Sequence, residues 1–240
     1  MRNALSAGAA PLAGDLADRI DCVIFDCDGV LVDSEPIALA LLRDTIAGLG
    51  LDLTLETVQR EFQGRSLPSV VARLSERHGI RVPHEALEAM SEALLARFSA
   101  ELRPIEGMPA LLDRLARPFC VASSSHVRRL AHALAVTGLA PRFGPRVFSA
   151  DAVARGKPAP DLLLHAAQGC RVAPERCLVV EDSVAGVEAA VAAGMPVLGF
   201  TAGGHAGAPG YGDALRAAGA RDVARDAGEL ARLMGPLLEA

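Results

Sequence analysis

A chain of 240 residues, 51% hydrophobic and 22% charged, carries enough apolar mass for a large globular core. Its net charge of -5, one Tyr and no Trp argue against a nucleic-acid partner, since it has neither a basic field nor aromatics interleaved to stack bases. No run is apolar and long enough to span a bilayer, so no membrane partner is expected and a cytoplasmic setting is.

Residues 1–20 are rich in Ala and broken by Gly8, Pro11 and Gly14, and read as a flexible N-terminal extension. Residues 21–25 form the first expected strand. From 35 to 102 the apolar spacing is helical throughout: Ile37, Leu41, Leu42 and Ile46, then Val58 and Phe62, then Val70 and Leu74, then Leu87, Met90, Leu94 and Phe98. Beyond Pro104 strands and helices alternate, with strands expected at 119–122, 146–148, 178–180 and 196–198. Helices are expected at 127–136, 161–168, 184–193, 213–218 and 228–234. That alternation predicts an α/β fold built on a doubly wound parallel sheet. The core would comprise 21–34 and 103–240, with 35–102 inserted as an α-helical cap domain.

In such a sheet, ligands bind at the carboxyl ends of the strands. The polar residues placed there are Asp26 and Asp28, the Ser123-Ser124-Ser125 run, and Glu181-Asp182. Four carboxylates at one edge cannot all stay ionised without a cation, and Mg²⁺ suits hard oxygen donors. Taken alone, Asp26-Cys27-Asp28-Gly29 also reads as a turn, and Glu181-Asp182 as an acidic helix start. Ser123, with Ser124 beside it, precedes a helix, where a hydroxyl and backbone N–H groups suit a phosphate; a plain N-cap is the alternative. Lys157 is the only lysine among 24 basic residues. A compact ammonium retained where Arg otherwise prevails suits a crowded site of phosphate and carboxylate oxygens.

The five cysteines form no C-x-x-C pair and no Cys/His cluster with ligand spacing. They read as reduced core residues, with neither a zinc site nor a thiol nucleophile expected. The six histidines are equally scattered.

The run Phe25-Asp26-Cys27-Asp28-Gly29-Val30-Leu31-Val32-Asp33, with Ser123, Gly156-Lys157-Pro158 and Val180-Glu181-Asp182-Ser183, resembles the four motifs of the haloacid dehalogenase superfamily of phosphatases with a helical cap. The resemblance spans residues 21 to about 235. It implies that Asp26 attacks phosphorus and forms an aspartyl-phosphate, and that Asp28 serves as acid and base. It also implies that Asp26, the Asp28 backbone carbonyl, Glu181 and Asp182 hold Mg²⁺, and that Ser123, Ser124 and Lys157 hold phosphoryl oxygens. Gly64 and Arg65, between two cap helices, resemble the substrate-reading loop. The implied activity is hydrolysis of a small phosphorylated metabolite, a sugar phosphate or phosphorylated sugar acid, by a monomer or weak dimer. A β-phosphoglucomutase-like mutase is the alternative, but Ala38 stands where those mutases carry a histidine. A 2-haloacid dehalogenase has no need of Asp28, and a non-catalytic phosphate-binding module would be expected to have lost a motif residue.

Overall fold

The computed structural model describes residues 11–12, 14–63, 67–204, 206 and 209–238. Six strands, β1 (Cys22–Phe25), β2 (Phe119–Ser123), β3 (Val147–Ser149), β4 (Cys177–Glu181), β5 (Val197–Phe200) and β6 (Val223–Ala224), pair in parallel in the order β3-β2-β1-β4-β5-β6. The central strands are continuously apolar because both faces are covered. The pleat divides their side chains between two cores. Val23, Phe25, Leu178 and Val180 join one, and Cys22, Ile24, Cys177 and Val179 the other.

The helices in chain order are α1 (Gly14–Ala17), α2 (Glu35–Gly48), α3 (Leu55–Phe62), α4 (Leu67–His78), α5 (His84–Glu101), α6 (Met108–Asp113), α7 (Val127–Val136), α8 (Ala140–Phe143), α9 (Asp161–Cys170), α10 (Val184–Ala192), α11 (Tyr211–Ala218) and α12 (Ala227–Leu233). Helices α9, α10 and α11 cover the Ile24 face; α6, α7, α8 and α12 cover the Phe25 face. Helices α2, α3 and α4 share a separate core of Leu39, Leu42, Ile46, Val58, Phe62, Val70 and Leu74. Helix α5 leaves that core at its C-terminal end, where Phe98 joins the Phe25 side of the sheet. An ion pair between Arg128 and Glu92 and a 2.9 Å hydrogen bond between Ser99 and His132 also tie it to α7.

Two departures from the expectations have local causes. Of the expected extension at 1–20, residues 1–10 and 13 lie outside the described residues, and the remainder packs on the core. The Leu12 amide donates to the Leu233 carbonyl at 2.8 Å, and Leu12, Ala17 and Ile20 are buried. Strand β6 is two residues long and helix α8 four, too short for a periodic signal.

Strand β1 is flanked by β2 on one side and β4 on the other, so successive crossovers leave it in opposite directions. The crevice that this creates lies at the carboxyl end of β1.

Candidate active site

Asp26 follows the last residue of β1, and its amide donates to the Val180 carbonyl at 3.0 Å. This extends the β1–β4 ladder by one residue and holds Asp26 beside the end of β4, where Glu181 and Asp182 stand. All three are buried, and one carboxylate oxygen from each lies within 4.8 Å of the others. Burying three carboxylates together is tolerable only with compensating charge.

Lys157 supplies part of it. Its side chain is 4% exposed, and its ammonium donates to Asp26 Oδ1 and Glu181 Oε2, both at 2.6 Å, and to the Ala122 carbonyl at 3.2 Å. Burial alone lowers the proton affinity of that ammonium, but the two carboxylates outweigh it and hold Lys157 above the ordinary lysine range. Burial raises the carboxyl of Asp26 well above the usual carboxylate value. Lys157 opposes this, and Glu181, Asp182 and Asp28 reinforce it. Glu181 lies lower than usual despite burial, because Lys157 and the Ser183 hydroxyl stabilise its charge. The Ser183 hydroxyl and amide donate to Glu181 Oε1 at 2.7 and 3.1 Å. A Cβ on Gly186 would lie 2.0 Å from the Glu181 carboxyl carbon, so that glycine makes room for the carboxylate.

Asp28 sits apart from this group. It accepts from Ser34, from Ser125 at 2.6 Å and from Arg129 at 2.8 Å. Burial raises its proton affinity, but Arg129 and the two hydroxyls together hold it below the usual range. Ser34 stands at the N-cap of α2, yet its hydroxyl serves Asp28 instead of the helix. The Arg129 guanidinium also lies 5.4 Å from the centroid of the Phe98 ring at the end of α5, so it touches both the site and the helical block.

Ser123 ends β2, is buried, and its hydroxyl accepts from the Ser125 amide at 3.1 Å. Ser124 is exposed beside it. Sequence reasoning brought Asp26, Asp28, Ser123, Ser124, Lys157, Glu181 and Asp182 to this edge but gave no role to Ser34, Ser125 or Arg129. It also missed Tyr211, the only tyrosine, whose hydroxyl is held above its ordinary value by burial and then by Asp182 and Glu181. Gly64 and Arg65 lie outside the described residues.

Of the four carboxylates gathered here, Lys157 contacts Asp26 and Glu181, and Arg129 contacts Asp28. The three clustered oxygen donors of Asp26, Glu181 and Asp182 fit a hard divalent ion such as Mg²⁺. The Asp28 carboxylate is not among those donors.

Among known proteins, a family model described as haloacid dehalogenase-like hydrolase matches residues 20–194. A 6-phosphogluconate phosphatase of Escherichia coli K12 is 37% identical over 188 residues, 78% of this chain and 85% of that protein. Hexitol phosphatase A of the same organism is 35% identical over 189 residues, 75% of this chain and 82% of that protein. The structure of a HAD family hydrolase from Deinococcus radiodurans, with bound phosphate and sodium, superposes with a TM-score of 0.76 at 35% identity, covering 92% of this chain and 99% of that one. No described helix is long and apolar enough to cross a membrane.

Proposed function

The chain belongs to the haloacid dehalogenase-like hydrolase family, and from that premise we propose that it hydrolyses the phosphomonoester of a small phosphorylated sugar or sugar acid. The observation that carries the reading is the contact of Lys157 with both Asp26 and Glu181, which places one ammonium among three buried carboxylates at a strand-end crevice. Phosphoryl transfer asks chiefly for positioning and for neutralisation of charge spreading over the phosphoryl oxygens.

In this reading an Asp26 carboxylate oxygen attacks phosphorus in line with the departing alcohol. The phosphorus–oxygen bond to the sugar breaks and an aspartyl-phosphate forms. Asp28 gives its proton to the leaving oxygen, then takes one from the water that cleaves the acyl phosphate. Arg129 holds Asp28 ionised at rest; a dianionic phosphate arriving alongside raises its proton affinity, and Asp28 takes a proton from solvent before it serves as the acid. Ser123, Ser124 and Lys157 hold the phosphoryl oxygens. Mg²⁺ would be held by Asp26, Glu181, Asp182 and the Asp28 carbonyl, and would neutralise phosphoryl charge when bound. The helical block from α2 to α5 acts as a cap that screens the crevice from water. The named activities of the Escherichia coli relatives support a sugar-phosphate substrate.

The test measures inorganic phosphate released from 6-phosphogluconate, hexitol phosphates and an aryl phosphate, with and without chelator. Wild type should release phosphate from at least one sugar phosphate faster than from the aryl ester, and Asp26→Asn should be inactive on all. Release from none of them, or full activity in Asp26→Asn, overturns the reading.

A further inference from the structure

The Ile24 face of the sheet gathers a second set of side chains that the proposed hydrolysis does not use. Cys22 opens β1, Cys120 is the second residue of β2, and Cys170 ends α9. Their spacing in the chain shows no ligand pattern, yet all three sulfurs lie within 4.8 Å of one another. The geometry points to a site for one soft divalent cation, Zn²⁺ or its heavier congener Cd²⁺, bound through the sulfurs of Cys22, Cys120 and Cys170.

The fold explains why these three meet. Ile24 pairs with Cys120 in the β1–β2 register, and Cys22 lies two residues before Ile24, so Cys22 and Cys120 face the same side. Helix α9 packs on that side and delivers Cys170 at its last turn. All are free thiols; Cys22 and Cys120 are fully buried and Cys170 is partly exposed. Cys170 is therefore the side from which an ion and a fourth, external ligand reach the sulfurs.

Distance and ligand chemistry agree. At a metal–sulfur length of about 2.3 Å, three sulfurs of a tetrahedral ion stand about 3.8 Å apart, so the trio needs to close by about 1 Å at most. Sulfur donors select soft ions and reject Mg²⁺. The oxygen cluster at Asp26, Glu181 and Asp182 has the opposite preference. Cys22 and Asp26 are four residues apart on one extended segment, about 13 Å, so the two sites are separate. Each sulfur binds as thiolate, so a divalent ion entering releases three protons to solvent and leaves one net negative charge. The ion must displace firmly held protons: contacts with Cys170 and Cys22, then burial, raise Cys120 well above the ordinary thiol value, and Cys170 is raised to about 11, Cys120 lowering it while Cys22 and burial push it up. Cys177 pairs with Cys22 across β1 and β4, but its thiol donates to the Ala173 carbonyl at 3.5 Å and is not one of the three clustered sulfurs, and Cys27 lies between Asp26 and Asp28.

The test titrates Cd²⁺ into the full-length protein in excess Mg²⁺ and follows ultraviolet sulfur-to-cadmium charge transfer, an absorption that carboxylate ligation does not give. Wild type should saturate at one equivalent. The band should vanish at one equivalent in Cys170→Ser, a partly exposed position where the fold is least at risk. It should be unchanged in Cys177→Ser and in Asp26→Asn. No charge-transfer band in wild type, or a band of full intensity in Cys170→Ser, overturns the proposal. Because the readout is spectroscopic and not phosphate release, its failure is distinguishable from failure of the phosphatase reading.

Discussion

Replacing Lys157 with Met keeps a long, flexible side chain and removes only the ammonium. That ammonium makes 2.6 Å contacts with Asp26 and Glu181 and is nearly sealed from solvent. Its loss takes away the cation that Asp26 and Glu181 share, within a buried group that also holds Asp182. Removing one partner of a buried ion pair costs about 3–5 kcal/mol. In a chain of this size about 1 kcal/mol moves Tm by about 2–4 °C, so in chelator the variant should melt roughly 6–20 °C below wild type. Protonating the stranded carboxylates offers an escape, so the gap should narrow as pH falls. A divalent ion offers another: at about a hundredfold excess over its Kd it contributes about 2.7 kcal/mol. Mg²⁺ should therefore raise the Tm of Lys157→Met more than that of wild type, because it replaces a missing charge instead of adding to one. Turnover should stay at least about 100-fold down even with Mg²⁺, as expected when one donor to a developing oxyanion is lost. Thermal unfolding followed by circular dichroism, in chelator and in Mg²⁺, checks all of this. A variant as stable as wild type in chelator would refute the charge argument, and a Tm indifferent to Mg²⁺ in both proteins would refute the metal assignment.

Gly186→Ala places a methyl 2.0 Å from the Glu181 carboxyl carbon and should displace that carboxylate; the Mg²⁺ concentration for half-maximal activity should rise at least about tenfold, measured by metal titration. Arg129→Met removes a charged hydrogen bond from Asp28 but leaves the Ser34 and Ser125 hydroxyls. It should cost about 2 kcal/mol of stability by denaturant unfolding and lower kcat more than it changes KM. Glu229, at the surface, is held at about 2 by hydrogen bonding to the Arg225 guanidinium. A depressed carboxylate stabilises the fold above its unfolded value near 4.5 and loses that contribution as pH falls through about 2. Glu229→Gln should thus cost at most about 1 kcal/mol at pH 7, given solvent screening, and the difference should shrink in urea melts below pH 4.5. An equal cost at pH 7 and pH 3 would show that the Glu229 charge is not responsible.

The parts legible in the sequence are those in which local pattern and tertiary demand coincide. The apolar run of β1 is buried on both faces, so its abrupt end at Asp26 marks the crevice without any knowledge of neighbours. Helix α7 occupies residues 127–136 as its spacing predicts, and Ser183 caps α10 by accepting from the Gly186 amide at 3.0 Å. What escaped depended on partners distant in the chain. Arg129 is 101 residues from Asp28, and in a chain whose cations are almost all Arg no local signal separates it from a solvated one. The cysteines of the sulfur cluster come from two strands and a helix, so ligand-spacing rules, which see only local separations, pass over them. Within the N-terminal stretch, the Ala-rich composition hides that Leu12, Leu16 and Ile20 recur every four residues and lie against the core.

Asp26 and Asp28 are separated by one residue, yet the fold gives them opposite surroundings. Asp26 shares its ammonium with Glu181 and faces Asp182, so burial and like charge push its proton affinity up. Asp28 has an arginine and two hydroxyls to itself, and these hold its proton affinity down in spite of burial. Titratable neighbours driven apart in this way are how one site assigns distinct tasks to chemically identical groups. The division has an electrostatic consequence for the order of events. In the proposed hydrolysis, with Lys157 engaged by carboxylates, the resting site would attract a divalent cation more strongly than a phosphate dianion. A cation held by Asp26, Glu181 and Asp182 would leave the Lys157 ammonium available to the phosphoryl oxygens, so the same ammonium would serve first the ion-free fold and then the substrate. Metal before substrate is the sequence that the charge balance favours, and initial-rate kinetics with varied Mg²⁺ should show ordered addition in that sense.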